Sequence, residues 1–183
     1  MPTENEKKYL IRKDCEPAIE RNCKVKQFIS QGYMVATRGV TVRVRKCVVY
    51  KNNRKNKINY FYTFKINSNN RCIEIETELS KRDFNDLWAV ALNKLEKIRY
   101  IYKNRKEIWE VDFFKDYQNN TYFALAEIEL PEGVASPTDI PDLINQNLLY
   151  AVPLTDNRFS NKLLSDAKYA SDLLMQFYEG NCP

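Results

Sequence analysis

Residues 41–48 read Thr41-Val42-Arg43-Val44-Arg45-Lys46-Cys47-Val48. In an extended strand successive side chains point to opposite faces, so Val42, Val44 and Val48 share one face while Arg43 and Arg45 share the other. The same two-faced pattern recurs along the chain. Tyr60, Tyr62, Phe64 and Ile66 oppose Thr63 and Lys65; Ile73, Ile75 and Leu79 oppose Glu74, Glu76 and Glu78. Ile98, Tyr100 and Tyr102 oppose Lys97 and Arg99; Trp109, Val111 and Phe113 oppose Glu110 and Asp112; Ala126, Ile128 and Leu130 oppose Glu127 and Glu129. With a first strand carrying Glu4, Glu6 and Lys8 on one side, this makes about seven strands.

Helical stretches lie between them. Ser80 followed by Asp83 has the spacing of a capping box, and Phe84, Leu87, Trp88, Ala91, Leu92 and Leu95 then recur at helical intervals, which predicts a helix over about 81–94. Pro17–Ile29 is a weaker helix candidate. Leu163, Leu164, Ala167, Ala170, Leu174 and Phe177 predict an amphipathic C-terminal helix over about 161–179. Lys51–Lys57 and Asn67–Arg71 suit hairpin loops, and Pro131–Pro141 is a Pro-punctuated excursion. No internal repeat or domain boundary is visible, so residues 1–183 are expected to form a single domain of α+β type dominated by β.

An antiparallel sheet with one solvated side would also put charge on alternate positions. Such faces usually mix Thr, Ser, Gln, Lys and Glu, whereas here pairs of one sign recur: Arg43 with Arg45, Glu74 with Glu76, Lys97 with Arg99, Glu127 with Glu129. Like charges on neighbouring positions of one face repel unless something bridges them. If the sheet closes into a barrel with its apolar faces packed outward against helices, the charged faces line the lumen. That lumen would hold a basic set of Lys8, Arg43, Arg45, Lys65, Lys97 and Arg99. Its acidic set would be Glu4, Glu6, Glu74, Glu76, Asp112, Glu127 and Glu129. Each unpaired buried ion costs several kcal/mol, so such an interior must be wet or liganded. Guanidinium groups suit phosphate oxygens, and carboxylates together with phosphates suit hard divalent cations.

Composition narrows the chemistry further. The 183 residues include no histidine, which excludes Ser-His and Cys-His nucleophiles and imidazole metal sites, so a metal must sit on carboxylates. Cys15, Cys23, Cys47, Cys72 and Cys182 form no C-x-x-C pair and are expected to be free thiols. A net charge of +5 permits an anionic small-molecule ligand without demanding nucleic acid. No apolar run has the length of a membrane span and the N-terminus lacks a signal-like stretch, so a soluble, cytoplasmic protein is expected, with a homodimer left open.

The ordered motifs resemble the CYTH proteins, also called triphosphate tunnel metalloenzymes. Glu4-Asn5-Glu6-Lys7-Lys8 is similar to the family's ExExK signature, Gln31-Gly32-Tyr33-Met34 to Q-G-Y-L, and Thr41–Arg45 to its V-R-V-R strand. Thr63-Phe64-Lys65 resembles T-I-K, Glu74-Ile75-Glu76 E-x-E, Glu96–Tyr100 E-K-x-R-Y, Trp109–Asp112 W-E-x-D, and Leu125–Leu130 L-A-E-x-E-L. Thr155–Asn161 resembles a late T-x-D-x-R-Y-x-N stretch. Where the family often has Arg two residues before E-x-E, this chain has Cys72.

The resemblance implies a closed eight-stranded antiparallel barrel with flanking helices, whose charged interior binds triphosphate with Mg²⁺ or Mn²⁺. Carried over by position, Lys8, Arg43, Arg45, Lys65, Lys97 and Arg99 would bind phosphate oxygens, and Glu4, Glu6, Glu127 and Glu129 would hold metal. Glu74, Glu76 and Asp112 would serve a second metal or the attacking water as catalytic groups. The implied activity is hydrolysis of a linear triphosphate, with inorganic tripolyphosphate favoured because no nucleobase pocket is legible. The alternatives are a class IV adenylyl cyclase and a triphosphate-binding module without turnover.

Overall fold

The period-2 segments pair into one continuous antiparallel sheet. A computed structural model describes residues 5–37, 39–68 and 71–178. Nine strands are formed: β1 (Glu6–Ile11), β2 (Val25–Thr37), β3 (Val40–Lys51), β4 (Arg54–Ser68), β5 (Arg71–Glu78), β6 (Asn93–Asn104), β7 (Glu107–Lys115), β8 (Thr121–Glu129) and β9 (Leu148–Val152). Their spatial order is β5-β4-β3-β2-β6-β7-β8-β1-β9. The described strands therefore number nine rather than eight, and β5 and β9 stand at opposite edges with no ladder joining them. The last strand, β9, pairs with β1 on the side away from β8.

Among the described residues five α-helices accompany the sheet: α1 (Glu16–Asn22), α2 (Lys81–Val90), α3 (Asp142–Asn145), α4 (Asn161–Leu164) and α5 (Ala167–Tyr178). The expected helix over 17–29 stops at Asn22, and Val25–Ile29 belong to β2, with Ile29 buried beside Cys47 of β3. The helix expected to reach 94 ends at Val90. Ala91 is extended, and the Leu92 N–H donates to the Tyr33 carbonyl, so the chain is tied to β2 before β6 begins. The C-terminal helix is two helices, because Asp166 Oδ1 accepts from the backbone N–H groups of Lys168 and Tyr169 and starts α5 afresh. The expected loop at 51–57 shrinks to Asn52 and Asn53, whose φ values of 49° and 59° supply the left-handed pair that a two-residue hairpin needs.

The two faces are covered differently. On the outer face Tyr9, Ile11, Tyr100, Trp109, Val111, Phe113 and Ile128 form a core closed by Ile19 of α1 and Ile144 of α3. Farther along, Phe84 and Trp88 of α2 stack on each other, with Phe84 against Tyr60 of β4. On the inner face one end is apolar: Leu10, Leu95, Phe114, Phe123 and Leu125 pack with Phe159, Leu164, Leu173 and Leu174 of the C-terminal segment. The apolar sides of the central strands thus meet helices, as the sequence pattern predicts. The outer face of β5 is left open, with Ile73 and Ile75 exposed, and Phe28 of β2 and Ile58 of β4 are exposed on the same face. No helix among the described residues is long and apolar enough to cross a membrane.

Gly32 shows how tightly α2 sits. A Cβ there would lie 2.8 Å from Ala91 Cβ and 3.2 Å from the Trp88 ring. Gly32→Ala is therefore expected to lower the urea-unfolding free energy by about 1–3 kcal/mol through overpacking. An unchanged midpoint would show that α2 moves aside freely.

Candidate functional site

Register puts every described candidate on the inner face. From the β5 edge inward, Glu74 opposes Lys65 and Glu76 opposes Thr63, while Thr63 in turn opposes Arg43. Arg43 opposes Tyr33 and Arg45 opposes Gln31 on β2. Beyond β2, Arg99 opposes Asp112, Glu110 opposes Glu127, Glu127 opposes Lys8, and Glu129 opposes Glu6. Glu4 lies outside the described residues, as does the side chain of Cys72.

The groups form two ionic clusters. On β3–β5, Arg45 Nη2 meets Glu76 at 3.0 and 3.2 Å, Thr63 Oγ1 donates to Glu76 Oε2 at 2.9 Å, and Arg43 Nη2 donates to Glu74 Oε1 at 3.3 Å. Lys65 Nζ lies 3.7 Å from Glu74. On β6–β8 and β1, Arg99 is held by both oxygens of Asp112 at 2.6 and 2.7 Å, by Glu127 at 3.0 Å and by Glu110. Lys97 Nζ donates to Asp112 at 2.5 Å, and Lys8 Nζ bridges Glu127 and Glu6 at 2.6 Å each.

The clusters face each other over a curved surface. The Tyr33 hydroxyl is raised in pKa by its burial, and it feels Arg43 on one side and Glu127 and Lys8 on the other. In a flat sheet β1 would stand four ladders from β2, about 19 Å away at ordinary strand spacing. Such mutual influence fits a sheet curled with its charged side concave. Arg45 likewise feels Arg99 two strands away.

Burial sets the electrostatics. Asp112 is fully buried; desolvation favours its neutral form, but Arg99 and Lys97 outweigh that and hold the carboxyl well below the usual range. Desolvation opposes the Lys8 and Arg99 charges as well, and their carboxylate partners more than offset it. For Arg45 burial and the nearby Arg43 prevail, and its pKa falls below the ordinary guanidinium value. Among the described residues three buried side-chain donors have no hydrogen-bond partner: Arg43 Nε and Arg45 Nε on the charged face, and Trp109 Nε1 in the outer core. A buried unsatisfied donor costs about 1–3 kcal/mol, more when charged. Elsewhere, the free Cys15 and Cys23 thiols are pushed by burial to about 12 and about 11, which leaves them protonated and inert.

The acidic wall is built from two like-charged cross-strand pairs, Glu6 opposite Glu129 and Glu110 opposite Glu127. All four line one cavity of about 660 Å³, together with Lys106, Glu107 and Thr138. Like charges placed directly opposite destabilise a sheet, so this wall calls for a cation. Lys8 and Arg99 supply part of that charge, and Glu129 is exposed with no ion pair among the described residues. Among those residues no three carboxylates are already gathered into a metal-binding cluster. The all-oxygen donor set nevertheless fits a hard divalent cation.

Glu110, Gln31 and Tyr33 join the site without having been singled out as candidates. Gln31 Nε2 donates to the Tyr33 hydroxyl at 2.6 Å in the buried gap between the clusters. Gln31 and Tyr33 alternate with Ser30 and Gly32, which marks no face, whereas Glu110 shares the alternation of Asp112.

Two crystal structures of the protein NE1496, one of them described as an inorganic triphosphatase, align with this chain at TM-scores of 0.55 and 0.54 and 24% identity. The alignments cover 89% and 87% of this chain and 97% and 95% of NE1496. The chain has the fold of that triphosphatase. The PH1819 protein from Pyrococcus horikoshii OT3 aligns over 96% of this chain and 90% of its own at 13% identity and a TM-score of 0.48. No family model matches the sequence, and no curated protein matches it.

Proposed function

We propose that the chain is a divalent-metal-dependent hydrolase of linear triphosphates, with inorganic tripolyphosphate as the favoured substrate and the concave charged face as its channel. The observation that carries this reading is the pair of buried, unpartnered guanidinium donors, Arg43 Nε and Arg45 Nε, set across from an acidic wall. Phosphate oxygens would take those donors, and Glu74 and Glu76 would yield the remaining Arg43, Arg45 and Lys65 bonds to the substrate. Lys8 and Arg99 would grip the other end of the chain. Glu6, Glu127 and Glu129, with Glu4, would hold Mg²⁺ or Mn²⁺, which supplies charge neutralisation and a water of lowered pKa. Asp112 already gives both oxygens to Lys97 and Arg99, so Glu74 and Glu76 are the carboxylates free to orient the attacking water once the arginines turn to phosphate. Phosphoryl transfer asks little more of a protein than this positioning and charge neutralisation. The shared fold with an inorganic triphosphatase supports the choice of substrate.

The test is a panel of tripolyphosphate, thiamine triphosphate, ATP and GTP with Mg²⁺ or Mn²⁺, reading released phosphate and cyclic AMP separately. Phosphate from tripolyphosphate at the highest kcat/KM is expected. Cyclic AMP from ATP without phosphate would replace the hydrolase by a cyclase, and tight binding without turnover would replace it by a binding module. Arg45→Ala is expected to weaken tripolyphosphate affinity at least about tenfold, the scale of one charged hydrogen bond, and pyrophosphate affinity much less. Equal losses would remove Arg45 from the grip on the chain's end.

A further inference from the structure

Asn161 reaches the charged face from outside the sheet. It is the first residue of α4, and its Oδ1 accepts from Lys97 Nζ at 3.0 Å across 64 residues of sequence. Lys97 is 3% exposed and gives a second N–H to Asp112, so two of its three N–H groups are engaged. A lysine head on a flexible four-carbon stem is held in one place only when separate elements grip it. Here the grips are β7, through Asp112, and α4, through Asn161.

Asn161 is itself anchored. Phe159 is buried against Phe123 and Phe177, and the Tyr169 hydroxyl donates to the Arg158 carbonyl. On the far side of α4 the Tyr122 hydroxyl donates to the Leu164 carbonyl at 2.8 Å. The C-terminal segment therefore docks on the apolar end of the inner face and delivers one amide oxygen to the charged part. An amide is suited to this place: it accepts from Lys97 without adding negative charge where phosphate would come.

Resting on the triphosphatase reading, we propose that Asn161 is a positioning residue of the site, which with Asp112 fixes the Lys97 ammonium so that its remaining N–H serves a phosphate oxygen. The C-terminal segment is then part of the active site as well as a cover.

The experiment measures tripolyphosphate affinity by calorimetry, and kcat and KM by phosphate release, for wild type, Asn161→Leu, Lys97→Met, the double variant and Ser160→Ala. Asn161→Leu is expected to weaken affinity about tenfold, on the scale of a hydrogen bond to a charged group. The double variant should bind no more weakly than Lys97→Met, since Asn161 acts through Lys97. Ser160→Ala, which touches α4 but not Lys97, should leave binding and rates as they are. The assignment is overturned by wild-type affinity in Asn161→Leu, by a further loss in the Lys97→Met background, or by the same loss in Ser160→Ala. A wild-type protein that neither binds nor hydrolyses tripolyphosphate overturns the functional reading instead.

Discussion

Asp112→Asn is expected to cost the fold about 3–5 kcal/mol, the usual penalty for removing one partner of a buried ion pair. The substitution keeps the shape and removes the charge, which leaves Lys97 and part of Arg99 buried beside a neutral amide. For a chain of this size that loss lowers the melting temperature by roughly 10 °C. The effect has a defined pH dependence. The folded Asp112 pKa lies below its unfolded value of 3.8, so the carboxylate contributes its full stabilisation above 3.8 and loses it as pH falls toward the folded value. The gap between wild type and variant, measured by urea unfolding, should be widest near neutrality and shrink at pH 3. A gap that stays constant into acid would mean that Asp112 stabilises by packing rather than by charge.

Glu127→Gln should have the opposite profile, with a modest effect on folding and a large one on chemistry. Its neighbours are already provided for: Lys8 keeps Glu6, and Arg99 keeps Asp112 and Glu110. The expected folding cost is about 1–3 kcal/mol, because Gln keeps one acceptor oxygen for the two charged hydrogen bonds, to Lys8 and Arg99, that Glu127 makes. On the proposed metal-dependent reading, turnover of tripolyphosphate at saturating substrate should fall about a hundredfold or more, because a carboxylate that would hold the metal beside the basic cluster would contribute several kcal/mol of transition-state stabilisation. Retained folding by circular dichroism together with near-normal kcat would remove Glu127 from the metal site.

The charged face was legible because its strands are chemically two-faced. Arg43 and Arg45 against Val42 and Val44, or Glu127 and Glu129 against Ala126 and Ile128, leave one assignment once the apolar side is packed. β2 was missed for the opposite reason. Its inner face carries Gln27, Ile29, Gln31 and Tyr33 and its outer face Phe28, Ser30 and Gly32, so neither face reads as apolar. β9, Leu148-Leu149-Tyr150-Ala151-Val152, is a short apolar run whose period is the same for strand and helix. Pairing within the face was not legible either. Which carboxylate meets which cation depends on register, and register here rests on turns such as Asn52-Asn53 and on bulges at Tyr33–Val35 and Phe114–Lys115. The resemblance named Glu127 as a metal ligand, but only the β8 register shows it shared between Lys8 and Arg99.

The measurement that bears most directly on the account is a calorimetric titration of tripolyphosphate into the wild-type protein with Mg²⁺ present, repeated with Arg43 and Arg45 both changed to Ala. One saturable site per chain that weakens as salt is raised, and is lost in the double variant, is the predicted result. A wild-type protein that shows no saturable heat, or a double variant that binds as tightly as wild type, would mean that the concave face is an internal ion network and not a receptor for phosphate chains.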